Sequence, residues 1–241
     1  MHISLVPETI AKIGNFVITN TLVTAWIVMA FLILVGFVAG KKPKMMPSKL
    51  QGIAEQILEA LLNFFESVWP DREKVLKFFP FLATLFIFIL FSNWFGLLPG
   101  VGTFGFENHE GEFVPFFRSL NSDLNATIAW AVISVITVQV TGFVALGFKG
   151  HASKFFNFKS PIDFFVGVLE LIGEISKMIS FSFRLFGNVF AGEVLLVAMM
   201  FLVPYILPLP FFMLEIFVGL IQALVFTTLT LVFLKMATVK H

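Results

Sequence analysis

The sequence contains no cysteine, one tyrosine and four histidines, and only 13% of its residues are charged. Without cysteine, disulfides, thiolate metal sites, iron–sulfur clusters and cysteine nucleophiles are excluded. His2, His109, His151 and His241 all fall outside the apolar runs, so haem held between helices by paired histidines is not expected. No G-x-x-x-x-G-K-[ST] cradle for phosphates is present, since Gly40-Lys41 lacks the upstream glycine and is followed by lysine. An H-E-x-x-H zinc helix and a catalytic Ser/His pair are also missing. Neither a metal nor a cofactor is therefore expected. A formal net charge of +1 gives no electrostatic reason for a nucleic-acid partner.

Apolar residues fill the chain instead. Of 241 residues 58% are hydrophobic and 34 are Phe, against about 45–50% apolar residues in soluble domains. The expectation is an all-α integral membrane protein, a single membrane domain over residues 1–241 in contact with the lipid bilayer. Apolar runs place about five spans at 16–38, 78–98, 124–148, 163–202 and 211–234. The first run is too long for a signal-peptide core and lacks a basic start, so it reads as a retained span. Lys41-Lys42-Pro43-Lys44 follows it, which sets its C-terminal end in the cytoplasm and the N-terminus outside. Of the 16 Lys and Arg, only Lys12 and Arg118 then face outward, and only Lys177 and Arg184 lie within a span.

Between the first two spans, Ser48 and Gln51 have capping-box spacing, and an amphipathic helix is expected over 48–66. Its stripe of Ile53, Ile57, Leu58, Leu61 and Phe65 suits either the membrane surface or the protein's own cytoplasmic loops. The run from Pro161 to Leu202 is longer than the roughly 30 Å hydrocarbon core requires, so it must tilt or bend. Pro204, Pro208 and Pro210 end it, and it forms a long hairpin with the last span.

That hairpin holds the buried charges. An arginine at mid-membrane is unfavourable by roughly 2.5–3.5 kcal/mol on insertion scales, so Arg184 is expected to have a function. Snorkelling is the structural alternative, but apolar residues extend for several turns on both sides. On a helical wheel Lys177, Asn188 and Glu170 lie within about 40° of Arg184, and Glu193 points to the opposite side. Glu170 lies on the cytoplasmic side of Arg184 and Glu193 on the external side. A hairpin turning near Pro204 brings Gln222 to the depth of Arg184 and Glu215 towards that of Glu193. A fixed cation thus separates two sets of acids. Simple neutralisation of Arg184 by one acid would not account for acids at several depths on different faces.

The segments Arg184-Leu-Phe-Gly-Asn188-Val-Phe-Ala-Gly-Glu193 and Gly219-Leu-Ile-Gln222-Ala-Leu-Val-Phe-Thr-Thr-Leu-Thr230 closely resemble the subunit a family of bacterial-type F-type ATP synthases. The likeness extends over the whole chain in the order of its spans. It implies a non-catalytic stator subunit of the bacterial cytoplasmic membrane, whose tilted hairpin faces a ring of small hairpin subunits that carry protons on carboxyl groups. Peripheral-stalk subunits, and indirectly the catalytic head of the synthase, are the other implied partners. By matching positions, Arg184 would face the ring carboxylate, with Asn188 and Gln222 as its polar neighbours. Glu193 would serve an external half-channel and Glu170 a cytoplasmic route. Many bacterial members have histidine where this chain has Glu215, so Glu193 and Glu215 are expected to share and pass protons in its place. An ion-coupled transporter working by alternating access is the alternative, although the two halves show no repeat.

Overall fold

The computed structural model describes residues 6–14, 16–40, 49–98, 101, 104–107, 113–155, 161–203 and 206–238. The lysines at 41, 42 and 44, Ser48 of the capping box, Glu110, Glu112 and Pro204 lie outside the described residues.

The chain opens with an antiparallel hairpin of β1 (Thr9–Ile13) and β2 (Phe16–Thr19), which turns at Gly14 with φ 62°. This corrects the first span, which begins at Asn20 and not at residue 16. β-branched Val17, Ile18 and Thr19 favour extended backbone. The Thr19 hydroxyl then accepts the amide of Leu22 at 3.3 Å, an N-cap that starts α1 (Asn20–Gly40). After α2 (Lys49–Val68), Asp71 caps α3 (Arg72–Phe95) by accepting the amide of Lys74 at 3.2 Å. The hydrogen bond and charge of Lys74 hold the exposed Asp71 carboxyl below its usual range. A second small hairpin, β3 (Gly105–Glu107) with β4 (Phe113–Pro115), and a 3-10 turn at Leu120–Ser122 lead into α4 (Leu124–Phe155). Gly147 breaks α4 with φ 75° and ψ 161°, a backbone state open essentially to glycine, and the span ends there. α5 (Pro161–Leu202) and α6 (Pro208–Thr238) complete the chain.

Five of these helices are long and apolar enough to cross a membrane. Apart from the two short hairpins, the architecture is the expected all-α membrane bundle with one amphipathic helix. α5 has 42 residues, which at a 1.5 Å rise is about 63 Å. It runs without an internal break, so no kink shortens it. α2 splits its apolar residues between two faces: Leu61 and Phe65 are buried, while Ile53, Ile57, Leu58 and Phe64 are open on the adjacent face. Phe65 meets Phe79, and Trp69 just beyond the helix stacks on Phe78, which fastens this segment to α3. Lys235 of α6 donates to the carbonyl of Val68 at 3.2 Å and caps the end of α2.

Lipid supplies little hydrophobic driving force between helices, so packing and interhelical hydrogen bonds hold the bundle together. Its core is lined by Leu82 and Ile89 of α3, Leu185 of α5, and Phe226, Leu231 and Leu234 of α6. The two β-hairpins lie on one side, since Asn20 after β2 reaches the carbonyl of Pro115 in β4. The C-terminal end of α5 and the start of α6 share that side by chain direction. The opposite side holds α2, the start of α5 and the C-terminal end of α6.

Candidate functional site

The rotation of α5 about its axis determines which residues are enclosed. Phe181, Ser182 and Leu185 are buried. Phe181 packs on Phe226 and Phe233 of α6, at centroid distances of 5.0 and 5.6 Å, while the Ser182 hydroxyl meets Thr127 of α4 at 3.1 Å. Those contacts turn Ser180, Phe183, Arg184, Asn188 and Ala191 to the outer face of the bundle. Arg184 donates to the Ser180 hydroxyl one turn earlier at 3.2 Å and, among the described residues, forms no ion pair. Neutralisation by a described acid therefore does not explain its position.

Asn188 bridges from that face to the interior. Its amide donates to the Gln222 carbonyl oxygen of α6 at 2.7 Å. Gln222 is buried, and its own amide nitrogen has no hydrogen-bond partner among the described residues. It lines a cavity together with Asn93, Ser119, Asn188, Glu193 and Glu215. Four of the residues expected to act together, Asn188, Glu193, Glu215 and Gln222, thus share one cavity, with Arg184 one turn away on the outer face. Glu193 is nine residues beyond Arg184, about 13 Å along the helix. The Glu215 carboxyl fits over Gly192, where an added Cβ would run into it. Only glycine permits that approach.

Two residues of this region are absent from the sequence-based set. Asn93 of α3 donates to the carbonyl of Gly219 at 3.0 Å and accepts from Asn121 at 2.7 Å, and its neighbour Trp94 donates to the carbonyl of Ile216 at 3.0 Å. Together they clamp α6 at two carbonyls one turn apart, alongside the cavity. Gly219 allows this, for a side chain there would meet the Cβ of Asn93 at 3.1 Å. The second is Arg118, expected on an open external loop. It is half-buried against the bundle instead, and its Nε and Nη2 both lie 3.3 Å from one Glu193 carboxylate oxygen. The sequence signal for Arg118 was its isolation as the one cation of an acidic loop; for Asn93, an amide inside an apolar run.

Glu170 stands apart, on the exposed face of α5 on the far side of Arg184. One turn on, Glu174 pairs with Lys177 at 2.6 Å, and the Lys177 ammonium lies 4.6 Å from the centre of the Phe233 ring of α6. Among the described residues, no group of three or more His, Asp or Glu could hold a metal ion.

The family model described as "ATP synthase A chain" matches residues 22–235. The chain belongs to this family. The "ATP synthase subunit a" of Moorella thermoacetica is 33% identical over 228 residues, covering 95% of this chain and 94% of that protein. That of Gloeobacter violaceus is 34% identical, covering 92% and 85%. The chloroplast "ATP synthase subunit a" of Stigeoclonium helveticum is 34% identical, covering 87% and 80%. Membership makes the chain a membrane-embedded, proton-translocating subunit of ATP synthase with no bond chemistry of its own. Nothing in these matches favours the alternating-access transporter.

Proposed function

We propose that the chain is the stator wall of a rotary motor, in which the outer face of α5 and α6 bears on a ring of proton-carrying hairpin subunits and Arg184 divides two proton half-paths. The observation that carries this reading is an outward-facing arginine without an acid partner among the described residues, flanked along one helix by a cavity lined with two acids and, on the other side, by an open acid. A proton enters past Glu215 and Glu193 and neutralises a ring carboxylate, which then turns through lipid without a charge. On reaching the other side of Arg184, the carboxyl releases its proton past Glu170, because the guanidinium favours the ionised form. Each charge that crosses yields about 2.3 kcal/mol per 100 mV. Asn188 and Gln222 supply amide donors and acceptors between the cavity and the outer face.

A cross-linking experiment tests the ring contact. With a cysteine beside the ring carboxyl, a cysteine at Ser180 or Ala191 of this chain should form a disulfide with the ring. One at the buried Ser134 should not. Absence of any cross-link from the outer face of α5 would remove the ring from the reading.

We further assign the side bearing α2 to the cytoplasm of a bacterial cell, with peripheral-stalk subunits and the catalytic head as partners beyond the ring. Lys49, Arg72, Lys74, Lys77 and Lys235 lie on that side, against Lys12 and Arg118 on the other. The absence of native cysteine makes labelling clean. A cysteine at the exposed Glu59 should react only with reagent supplied in the cytoplasm, and one at the exposed Phe104 only from outside. Reaction of both from one side contradicts the five-span topology.

A further inference from the structure

We propose that Arg118 is a positioning residue that keeps Glu193 anionic, leaving Glu215 as the carboxyl that takes up and passes the proton; this rests on the proton-path reading above. Two guanidinium nitrogens grip one oxygen of Glu193 at 3.3 Å, and both side chains are largely buried. Guanidinium does not lose its charge. Arg118 is itself fixed, because its backbone amide donates to Thr24 of α1 at 3.3 Å and the Ser119 hydroxyl donates to the carbonyl of Ser92 in α3 at 3.3 Å. The neighbouring acid, Asp123, is engaged elsewhere, accepting from the Thr21 hydroxyl at 3.1 Å and the Asn125 amide at 2.9 Å. Glu193 is therefore the acid to which Arg118 is committed.

Glu215 differs in each respect. Among the described residues its carboxyl forms no hydrogen bond and no ion pair. It lies against Gly192, next in sequence to Glu193, so no side chain intervenes on that side. It shares the cavity with Glu193 and Gln222. A closed ion pair is neutral overall, so a proton arriving in the cavity meets one titrating acid. The Glu193–Arg118 pair provides fixed polar walls beside it.

This arrangement has a consequence that a purely structural salt bridge would not. Glu193→Gln leaves the guanidinium without a counter-ion, and Glu215, the remaining acid of the cavity, is then drawn towards it and no longer exchanges protons readily. Removing the stranded cation should restore exchange. In the intact synthase, reconstituted in membranes and then stripped of its catalytic head, passive proton flux is measured per amount of subunit for Glu193→Gln, Arg118→Gln and the double variant. The double variant should conduct at least about fivefold better than Glu193→Gln, a coupling between contacting residues that a double-mutant cycle isolates. Arg118→Lys should keep most of the parental flux, since an ammonium also holds Glu193. Arg118→Leu provides a second cation-free chain, and failure of both cation-free chains to assemble beside Glu193→Gln would make the pair a structural tie and overturn the assignment. Losses in both single variants without recovery in the double also overturn it. Parental flux unchanged by Glu193→Gln and by Glu215→Leu alike overturns the proton-path reading itself.

Discussion

Arg184→Ala should abolish ATP-driven proton pumping in inverted membrane vesicles while the synthase remains assembled. Arg184 lies on the outer face of α5, and its one hydrogen bond is to Ser180 of the same helix. Its removal therefore leaves no buried partner unsatisfied, and the cost to the fold is within about 0.5 kcal/mol, as for other surface substitutions. The loss of function has a separate origin. The next cation along α5, Lys177, is two turns away and tied to Glu174 at 2.6 Å, so it does not substitute. On the proposed division of the proton path, loss of Arg184 removes the positive charge that drives the ring carboxyl to release its proton and that bars a proton from moving directly between the half-paths. Coupled pumping should fall to background, and passive conductance in head-stripped membranes should persist or rise. Vesicles of the variant that pump at the parental rate would sink the assignment of Arg184 as the divider.

The hairpin that carries this behaviour was legible because its signals are local. A run from 161 to 202 too long for the bilayer, three prolines after it, and an arginine inside it require only one-dimensional arithmetic. The bounds of α5 and α6 lie within a few residues of expectation at most ends, with α6 extended to Pro208 and Thr238. Wheel geometry also separated Arg184 from Glu193, because the facing of residues on one straight helix follows from 100° steps.

What was not legible depends on contacts across the chain. Arg118 and Glu193 are 75 residues apart, and nothing local in Pro115-Phe-Phe-Arg118 says that the loop folds back over the bundle. That fold-back is set by Thr24, Ser92 and Asn93, polar groups scattered through apolar runs. Asn93 was hidden for the same reason, for a single amide in a span becomes informative only once its partners at Gly219 and Asn121 are known. The strand at Phe16–Thr19 was missed because an apolar run of four residues looks the same in a strand and in a membrane helix. α2 was open between two readings because its apolar stripe is wide enough to serve both, and the helix divides it.

Glu215 provides the second large expected effect, since its place in the cavity is not explained by packing. Its carboxyl lies against Gly192 and, among the described residues, forms no ion pair or hydrogen bond, so truncation breaks no tie between helices. A positioned proton-transfer group contributes on the order of 10²–10⁴-fold, so Glu215→Leu should lower passive proton flux in head-stripped membranes by at least about tenfold if the path runs through this cavity. Leucine of similar bulk also fills the space beside Gln222 and Glu193 with an apolar plug, which the proposed path for water and protons would have to cross. Glu215→Gln separates the two causes, since it keeps the polarity and shape of the side chain and removes only its capacity to take up a proton. It should fall nearly as far as Leu. Glu215→His should retain a substantial part of the parental flux, because imidazole exchanges protons near neutral pH. Its ring must fit against Gly192, so a second change, Gly192→Ala, should cost the His variant most of what it keeps. A Gln variant as fast as the parent would mean that Glu215 acts as a polar wall and that the proton is carried by other groups. A Leu variant as fast as the parent would move the path out of this cavity altogether.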